Sequence, residues 1–225
     1  MKVKIHREGT NILILLPIVL AALNVPVWLF MPPVVLPTIF TTLSAVVYIF
    51  VFNFFRCPKR GYRGERRDMV VSSVDGKVVA IEKVYEGEYL KSEAIMLSVF
   101  MSPLNVHANW YPVDGTVEYV RHHRGRFLSA YLPKASTENE RSTIGIETYG
   151  HHITVRQIAG AMARRIVTYA RRGSHANIDD HLGFIKFGSR VDLYLPTDAE
   201  ILVDMKQIVR GGVTPVARLT SKQKK

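Results

Sequence analysis

Apolar residues are distributed along this chain in two ways. Over residues 9–55 there is no Asp, Glu, Lys, Arg or His, and hydrophobic positions run on without a period. That run divides at Met31-Pro32-Pro33 into stretches 11–30 and 34–55. Each has about the 20 residues a helix needs to cross the hydrocarbon of a bilayer. Pro32 and Pro33 carry no amide hydrogen and disfavour helix before them, so a tight turn is predicted there. Pro17, Pro26 and Pro37 leave open whether the hairpin spans or only dips into the membrane.

From Met69 onward the apolar residues come instead in short bursts of Val, Ile, Tyr and Phe, broken by Gly, Pro, Asn and Asp. This is the signature of short strands and turns. Strands are predicted at 68–72, 76–82, 94–101, 115–120, 127–131, 142–148, 151–158, 183–187 and 190–195. A short helix is predicted over 159–170, where small residues run up to Arg171-Arg172-Gly173. The fold class that results is mainly β. A transmembrane helical hairpin (residues 1–60) precedes a compact antiparallel β-sandwich-like domain (61–225) with one short helix. Val74-Asp75-Gly76-Lys77-Val78 is echoed by Val113-Asp114-Gly115-Thr116-Val117. Asp-Gly before a β-branched run reads as a turn into a strand, and two hairpin turns of one sandwich explain the echo.

Charge gives the hairpin a direction. The 225 residues carry 30 Lys+Arg against 19 Asp+Glu, a net +11. Lys2, Lys4, His6 and Arg7 precede the apolar run; Arg56, Lys59, Arg60, Arg63, Arg66 and Arg67 follow it; the turn has no charge. The positive-inside rule then puts both ends, and the large domain, on the cytoplasmic side of the cell (inner) membrane. A cleaved signal peptide over residues 1–22 is disfavoured, because a second, longer apolar stretch follows at once. The basic clusters Arg164-Arg165, Arg171-Arg172 and Lys222, Lys224, Lys225 suit anionic headgroups, at about 1 kcal/mol each near the surface, better than nucleic acid. A homo-oligomer is compatible with all of this. The single cysteine, Cys57, excludes an intramolecular disulfide framework and a cysteine-built zinc cluster. At the membrane edge it is either an acylation site or a bystander thiol.

Candidate chemistry is sparse. His122-His123 and His151-His152 are adjacent pairs, and neighbours on a strand point to opposite faces, so neither pair chelates one metal; no metal is expected. Gly188-Ser189 lies between two β-rich runs. A glycine tolerates a strained turn and exposes its carbonyl to the serine hydroxyl that follows. On these residues alone, a plain Gly-Ser turn in a hairpin is the better account of the pair.

The surroundings of that pair carry a resemblance. The landmarks are Ser73-Val74-Asp75-Gly76-Lys77-Val78, Phe100-Met101-Ser102-Pro103-Leu104-Asn105-Val106-His107-Ala108-Asn109, and Tyr111-Pro112-Val113-Asp114-Gly115. After them come Asn139-Glu140-Arg141, Gln157-Ile158-Ala159-Gly160-Ala161-Met162-Ala163-Arg164-Arg165-Ile166 and Phe187-Gly188-Ser189-Arg190-Val191-Asp192. In this order and spacing they resemble the phosphatidylserine decarboxylase family, in its short bacterial and archaeal form, over roughly residues 68–196.

The resemblance implies a pyruvoyl enzyme made by self-cleavage between Gly188 and Ser189. The products are a β chain ending at Gly188 and an α chain of 37 residues beginning at Ser189. Ser189 Oγ attacks the Gly188 carbonyl, with His107 as base and Asp75 orienting it. The resulting ester eliminates, and hydrolysis of the dehydroalanine gives pyruvoyl and ammonia. The ketone then condenses with the amino group of phosphatidylserine and accepts the electrons released as CO2 leaves. His107 is the first candidate to reprotonate the carbon, and phosphatidylethanolamine is the product. Arg141 is a candidate for binding the anionic substrate, and an ion pair with Glu140 is its alternative. Residues 95–101 with Leu104 suit acyl chains or plain core. The sequence departs from the longer family members in Arg190 after the serine and in Trp110, where they have a second histidine. His122, His123, His151 and His152 therefore stay open as contributors. Two other classes compete. One is a membrane-tethered β-sandwich binding or adaptor module resembling a biotinyl or lipoyl carrier, supported by the echoed hairpins but lacking a carrier lysine tip. The other is a Ser/Lys protease, disfavoured because Lys186 faces away from Ser189.

Overall fold

The computed structural model describes residues 3–31, 34–131, 134–161, 165–186 and 188–220. The Pro32-Pro33 turn, Phe187 of the last motif, and the headgroup reading of Arg164, Lys222, Lys224 and Lys225 lie outside the described residues. The chain divides into two compact units, Met1–Lys59 and Arg60–Lys225.

The first unit is built on α1 (Thr10–Phe30) and α2 (Val35–Phe54). Both are long and apolar enough to cross a membrane. Pro17 and Pro26 sit inside α1 without ending it. The helices are joined by polar contacts: Asn24 Nδ2 donates to Ser44 Oγ, Thr41 Oγ1 donates to Asn24 Oδ1, and Trp28 Nε1 donates to Thr41 Oγ1, each at 2.9 Å. In hydrocarbon such bonds hold helices together where apolar burial gives no drive. A short ladder of β1 (Val3–Ile5) and β2 (Arg56–Pro58) closes the base and buries Cys57.

The second unit is antiparallel throughout its ladders. Its strands are β3 (Met69–Val71), β4 (Gly76–Glu86), β5 (Ser92–Met101), β6 (Ala108–Trp110), β7 (Gly115–His123), β8 (Arg141–Thr148), β9 (His151–Ala159), β10 (Ile166–Thr168), β11 (His175–Ala176), β12 (His181–Ile185), β13 (Ser189–Leu195), β14 (Glu200–Ile201), β15 (Ile208–Val209) and β16 (Pro215–Arg218). The large sheet runs β11-β7-β8-β9-β13-β5-β4-β15, and two small sheets run β10-β12-β6 and β14-β16-β3. This order reads the same from either end. β4 corresponds to β7, β5 to β8, β13 to β9 and β15 to β11. The small sheets correspond strand for strand, so two interleaved lobes meet at the β9–β13 ladder.

The echoed Asp-Gly turns are the start of this correspondence. Gly76 and Gly115 open β4 and β7, and a Cβ on either would lie 2.2 Å from Phe100 O or 2.1 Å from Glu147 O. One face of the large sheet (Leu97, Val99, Ile144, Ile153, Val155, Val191, Leu193) packs with Val70, Ile166, Leu182, Ile185 and Val216 of the small sheets into a single core.

Two expectations are corrected. The described residues of 159–170 contain no helix. Ala159 ends β9, and Ile166–Thr168 is a strand on β12, as its β-branched residues favour. The short helix is α3 (Ala135–Glu138). Residues 127–131 are not a strand, because buried Asn139 clamps both the N–H and the C=O of Leu128 into a loop.

Candidate active site

Ser189 opens β13 between Met101 of β5 and Ala159 of β9 and is fully buried. Its hydroxyl donates to Met101 Sδ at 3.2 Å, a weak acceptor that leaves the oxygen lone pairs uncommitted. Gly188 before it has φ +61, a left-handed conformation suited to glycine. The Gly188 carbonyl oxygen lies 2.2 Å from where a Cβ on Gly160 would stand. Only a glycine at 160 lets the carbonyl beside Ser189 rest there, a requirement hidden inside the Gln157-Ile158-Ala159-Gly160 string.

His107 comes from the facing small sheet. It precedes β6, and its carbonyl accepts from Ile185 N at 3.4 Å, three residues before Gly188. Two residues on, Asn109 reaches the large sheet and meets Gln157 at 2.5 Å. Gln157 lies on the same sheet face as Ala159 and Ser189. His107 is thereby set over the end of the sheet where Ser189 stands, and it is fully buried. Its Nδ1 lies 3.0 Å from the Asn105 carbonyl. A carbonyl only accepts, so Nδ1 carries the proton and Nε2 has the lone pair a base requires.

Asp75 lies at the same end of the sheet, just before Lys77, which pairs with Phe100. Its carboxylate is engaged by Arg60, through a close contact at Oδ1 and 2.9 Å at Oδ2, and by Gly211 N at 2.9 Å. Arg60 in turn stacks 5.1 Å over the Trp110 ring. The resemblance implied that Asp75 orients His107; the contacts described are those of His107 Nδ1 with the Asn105 carbonyl and of Asp75 with Arg60 and Gly211. Arg60 was read in the sequence only as one of six flanking cations.

Arg141 is not brought to Ser189. It pairs with Ile158, whose side chain lies on the opposite sheet face from Ala159 and Ser189. Its Nη1 donates to Thr137 O at 2.6 Å, and burial, with the like charge of Arg156, lowers its pKa. Glu140 lies 3.6 Å from His122 instead. That opposite face is charged and covered. Arg156 joins Glu86 at 2.8 Å, Arg190 joins Asp192 at 2.9 Å, and Ser136 of α3 donates to Asp192 at 2.7 Å. His123 meets Glu88, and His152 meets Tyr89 at 2.9 Å. Among the described residues no group of three His, Cys, Asp or Glu side chains is arranged to hold a metal.

Comparison with known proteins decides the family. The model described as phosphatidylserine decarboxylase matches residues 47–217. The chain is 52% identical to a protein of Phocaeicola vulgatus over 97% of this chain and 96% of that one. It is 53% identical to one of Bacteroides fragilis, with the same coverage. This chain belongs to the phosphatidylserine decarboxylase family. A Porphyromonas gingivalis member, 46% identical over 96% of this chain and 99% of its own, carries the same name as the other two, phosphatidylserine decarboxylase proenzyme. Membership disfavours the carrier-like adaptor and the Ser/Lys protease. It also gives the Gly188–Ser189 geometry a chemical meaning.

Proposed function

We propose that this chain is a membrane-anchored proenzyme that cleaves itself between Gly188 and Ser189 and then decarboxylates phosphatidylserine to phosphatidylethanolamine and CO2. The observation that carries the reading is the buried Ser189 hydroxyl beside a left-handed Gly188, with buried His107 bonded through its carbonyl to Ile185, three residues before that glycine. Ser189 Oγ is the nucleophile and His107 Nε2 the base that takes its proton. Gly160 holds the carbonyl under attack. Asp75 keeps Arg60 and the turn before β4 in place beside Met101.

The residues around Ser189 fit a pyruvoyl group. The serine is walled by Met101 and Ala159, away from bulk water, and needs no metal to be converted. Such a group supplies an electron sink for the bond to CO2. The protein holds it in position after cleavage. β13 stays paired with β5 and β9 along its length, and the Arg190–Asp192 pair with Ser136 anchors the new chain start. Arg60 and the other cations after the second apolar helix, read by the positive-inside rule, support a cytoplasmic location for this domain, with anionic lipid as its substrate and its surroundings.

The test is intact mass of the full chain under denaturing conditions, followed by CO2 release from a serine phospholipid in micelles. The expected result is two chains, the smaller beginning at residue 189, one ammonia lighter than a serine start and blocked to sequential degradation. A single uncleaved chain that nevertheless releases CO2 would overturn it.

A further inference from the structure

Gln157 is a buried polar residue of this site that the chemistry above does not use. It is fully buried on the core face of β9. Its ladder partner is Val191, and the next residue on its face, Ala159, is the partner of Ser189. Gln157 and Ser189 are therefore diagonal neighbours on one face, about 7–8 Å apart at Cα.

The orientation of its amide follows from a chain of hydrogen bonds. The His107 carbonyl only accepts, so Asn109 Nδ2 donates to it, at 3.1 Å. Asn109 Oδ1 is then turned to Gln157, whose Nε2 donates to it at 2.5 Å. Gln157 Oε1 is left on the other side, buried and with no hydrogen-bond partner among the described residues. A buried acceptor left unmade costs on the order of 1–3 kcal/mol, so such an atom marks a place where a donor arrives. Gly183 permits this arrangement: a Cβ there would lie 2.8 Å from Gln157 Nε2.

We propose that Gln157 Oε1 accepts a hydrogen bond from the amino nitrogen of the serine lipid and so positions that amine against residue 189. The inference rests on the pyruvoyl reading. In that reading the Cα of residue 189 loses its own nitrogen as ammonia and later receives the nitrogen of the substrate. One acceptor beside that carbon serves the incoming amine at the position the outgoing one vacated. It also favours primary amines, which keep an N–H to donate after bonding to carbon, over N-methylated ones, which do not.

The experiment uses full-length protein in detergent micelles with phosphatidylethanolamine as the amine. Sodium cyanoborohydride supplies the hydride that fixes the lipid nitrogen to residue 189 as a secondary amine, with loss of water. The adduct is read as a mass increase on the small chain, beside self-cleavage and kcat/KM. Gln157→Met removes the acceptor and Gln157→Glu keeps it. We expect Gln157→Met to cleave, with adduct yield and kcat/KM at least tenfold down, and Gln157→Glu to form adduct within threefold of the parent. Parent-level adduct in Gln157→Met overturns the proposal, as does a tenfold loss in a cleaved Gln157→Glu. If Gln157→Met does not cleave, Gln157→Glu decides. Cleavage with adduct formation shows that the acceptor matters, whereas failure to cleave shows that the Nε2–Asn109 bond is what matters and overturns the proposal. Failure of the parent protein to cleave or to form adduct would instead strike the pyruvoyl reading itself.

Discussion

The two lobes of the β domain share a plan and differ at one junction. In the second lobe β8 runs into β9 through Tyr149-Gly150, both in left-handed conformation, and His151 opens the strand. In the first lobe the corresponding strand is β13. Gly188, also left-handed, precedes it and Ser189 opens it. The partner of β9 is its own hairpin neighbour, whereas the partner of β13 is β5, which ends 88 residues earlier at Met101. Cutting the chain at Gly150 would open a hairpin. Cutting at Gly188 severs a connection between lobes and leaves every described β13 pairing in place. The duplicated architecture therefore offers two left-handed glycine junctions, one inside a hairpin and one between lobes.

Replacing the serine breaks the difference outright. Ser189→Ala leaves no nucleophile, and the expected outcome is one uncleaved chain with no CO2 release, read by intact mass and a lipid decarboxylation assay. The converse, His151→Ser, puts a serine at the twin junction. It should yield no cut there and normal cleavage at Gly188, because the residue before β3 that corresponds to His107 before β6 is Asp68, not a histidine. Removing the base comes next. His107→Ala should slow self-cleavage by about 100-fold or more, the usual range for a positioned general base, measured as the fraction cleaved against time. Cleavage at the parent rate would remove His107 from the role.

How much of this was legible in the sequence depends on range. The apolar hairpin and most long strands showed in local patterning, since side chains of period 2 or unbroken hydrophobicity need no partner to be recognised. β6, β10, β11, β14, β15 and β16 did not. They are two to four residues long and exist only because a distant strand pairs with them, and Ile166–Thr168 was masked by the small residues before it. The Asp-Gly echo was visible, but its meaning, a duplicated lobe, needed the strand order. At the site, Ser189, Gly188 and His107 stood out through local motifs. Arg60 and Gln157 did not, because one looked like any membrane-flanking cation and the other entered only as the first residue of a landmark string, with no role of its own.

The echoed aspartates sharpen the lobe comparison at smaller energies. Asp75 is held by Arg60 and Gly211 N; Asp114 accepts from Ile178 N at 2.8 Å and meets Arg66 only at 3.7 Å. Each caps a loop of its own lobe, but the first pair is well buried and the second is part-exposed. Asp75→Asn leaves a buried guanidinium without its counter-charge and should cost about 3 kcal/mol. Asp114→Asn keeps an acceptor for Ile178 and should cost less than about 1 kcal/mol. Thermal unfolding of the two variants side by side measures the difference, and equal losses would mean that the lobes use their aspartates alike.

The smallest effect concerns how the lobes cover the charged face of the sheet. The β4–β5 hairpin of the first lobe brings Glu86 and Glu88 over it, while the β7–β8 connection of the second brings Ser136. Burial pushes Glu88 upward, but hydrogen bonds from His123, Thr143 and Tyr119 outweigh it and hold the carboxyl below its ordinary 4.5. A carboxyl depressed by folding stabilises the fold fully above its unfolded pKa and loses that contribution as pH falls through its folded value. The melting temperature should therefore drop as pH is taken down from 5. Glu88→Gln should flatten that drop while lowering stability modestly at pH 7. An equally steep acid slope in Glu88→Gln would assign the acid sensitivity to other carboxylates, and the hairpin cover of the first lobe would then be held by Arg156 and Glu86 alone.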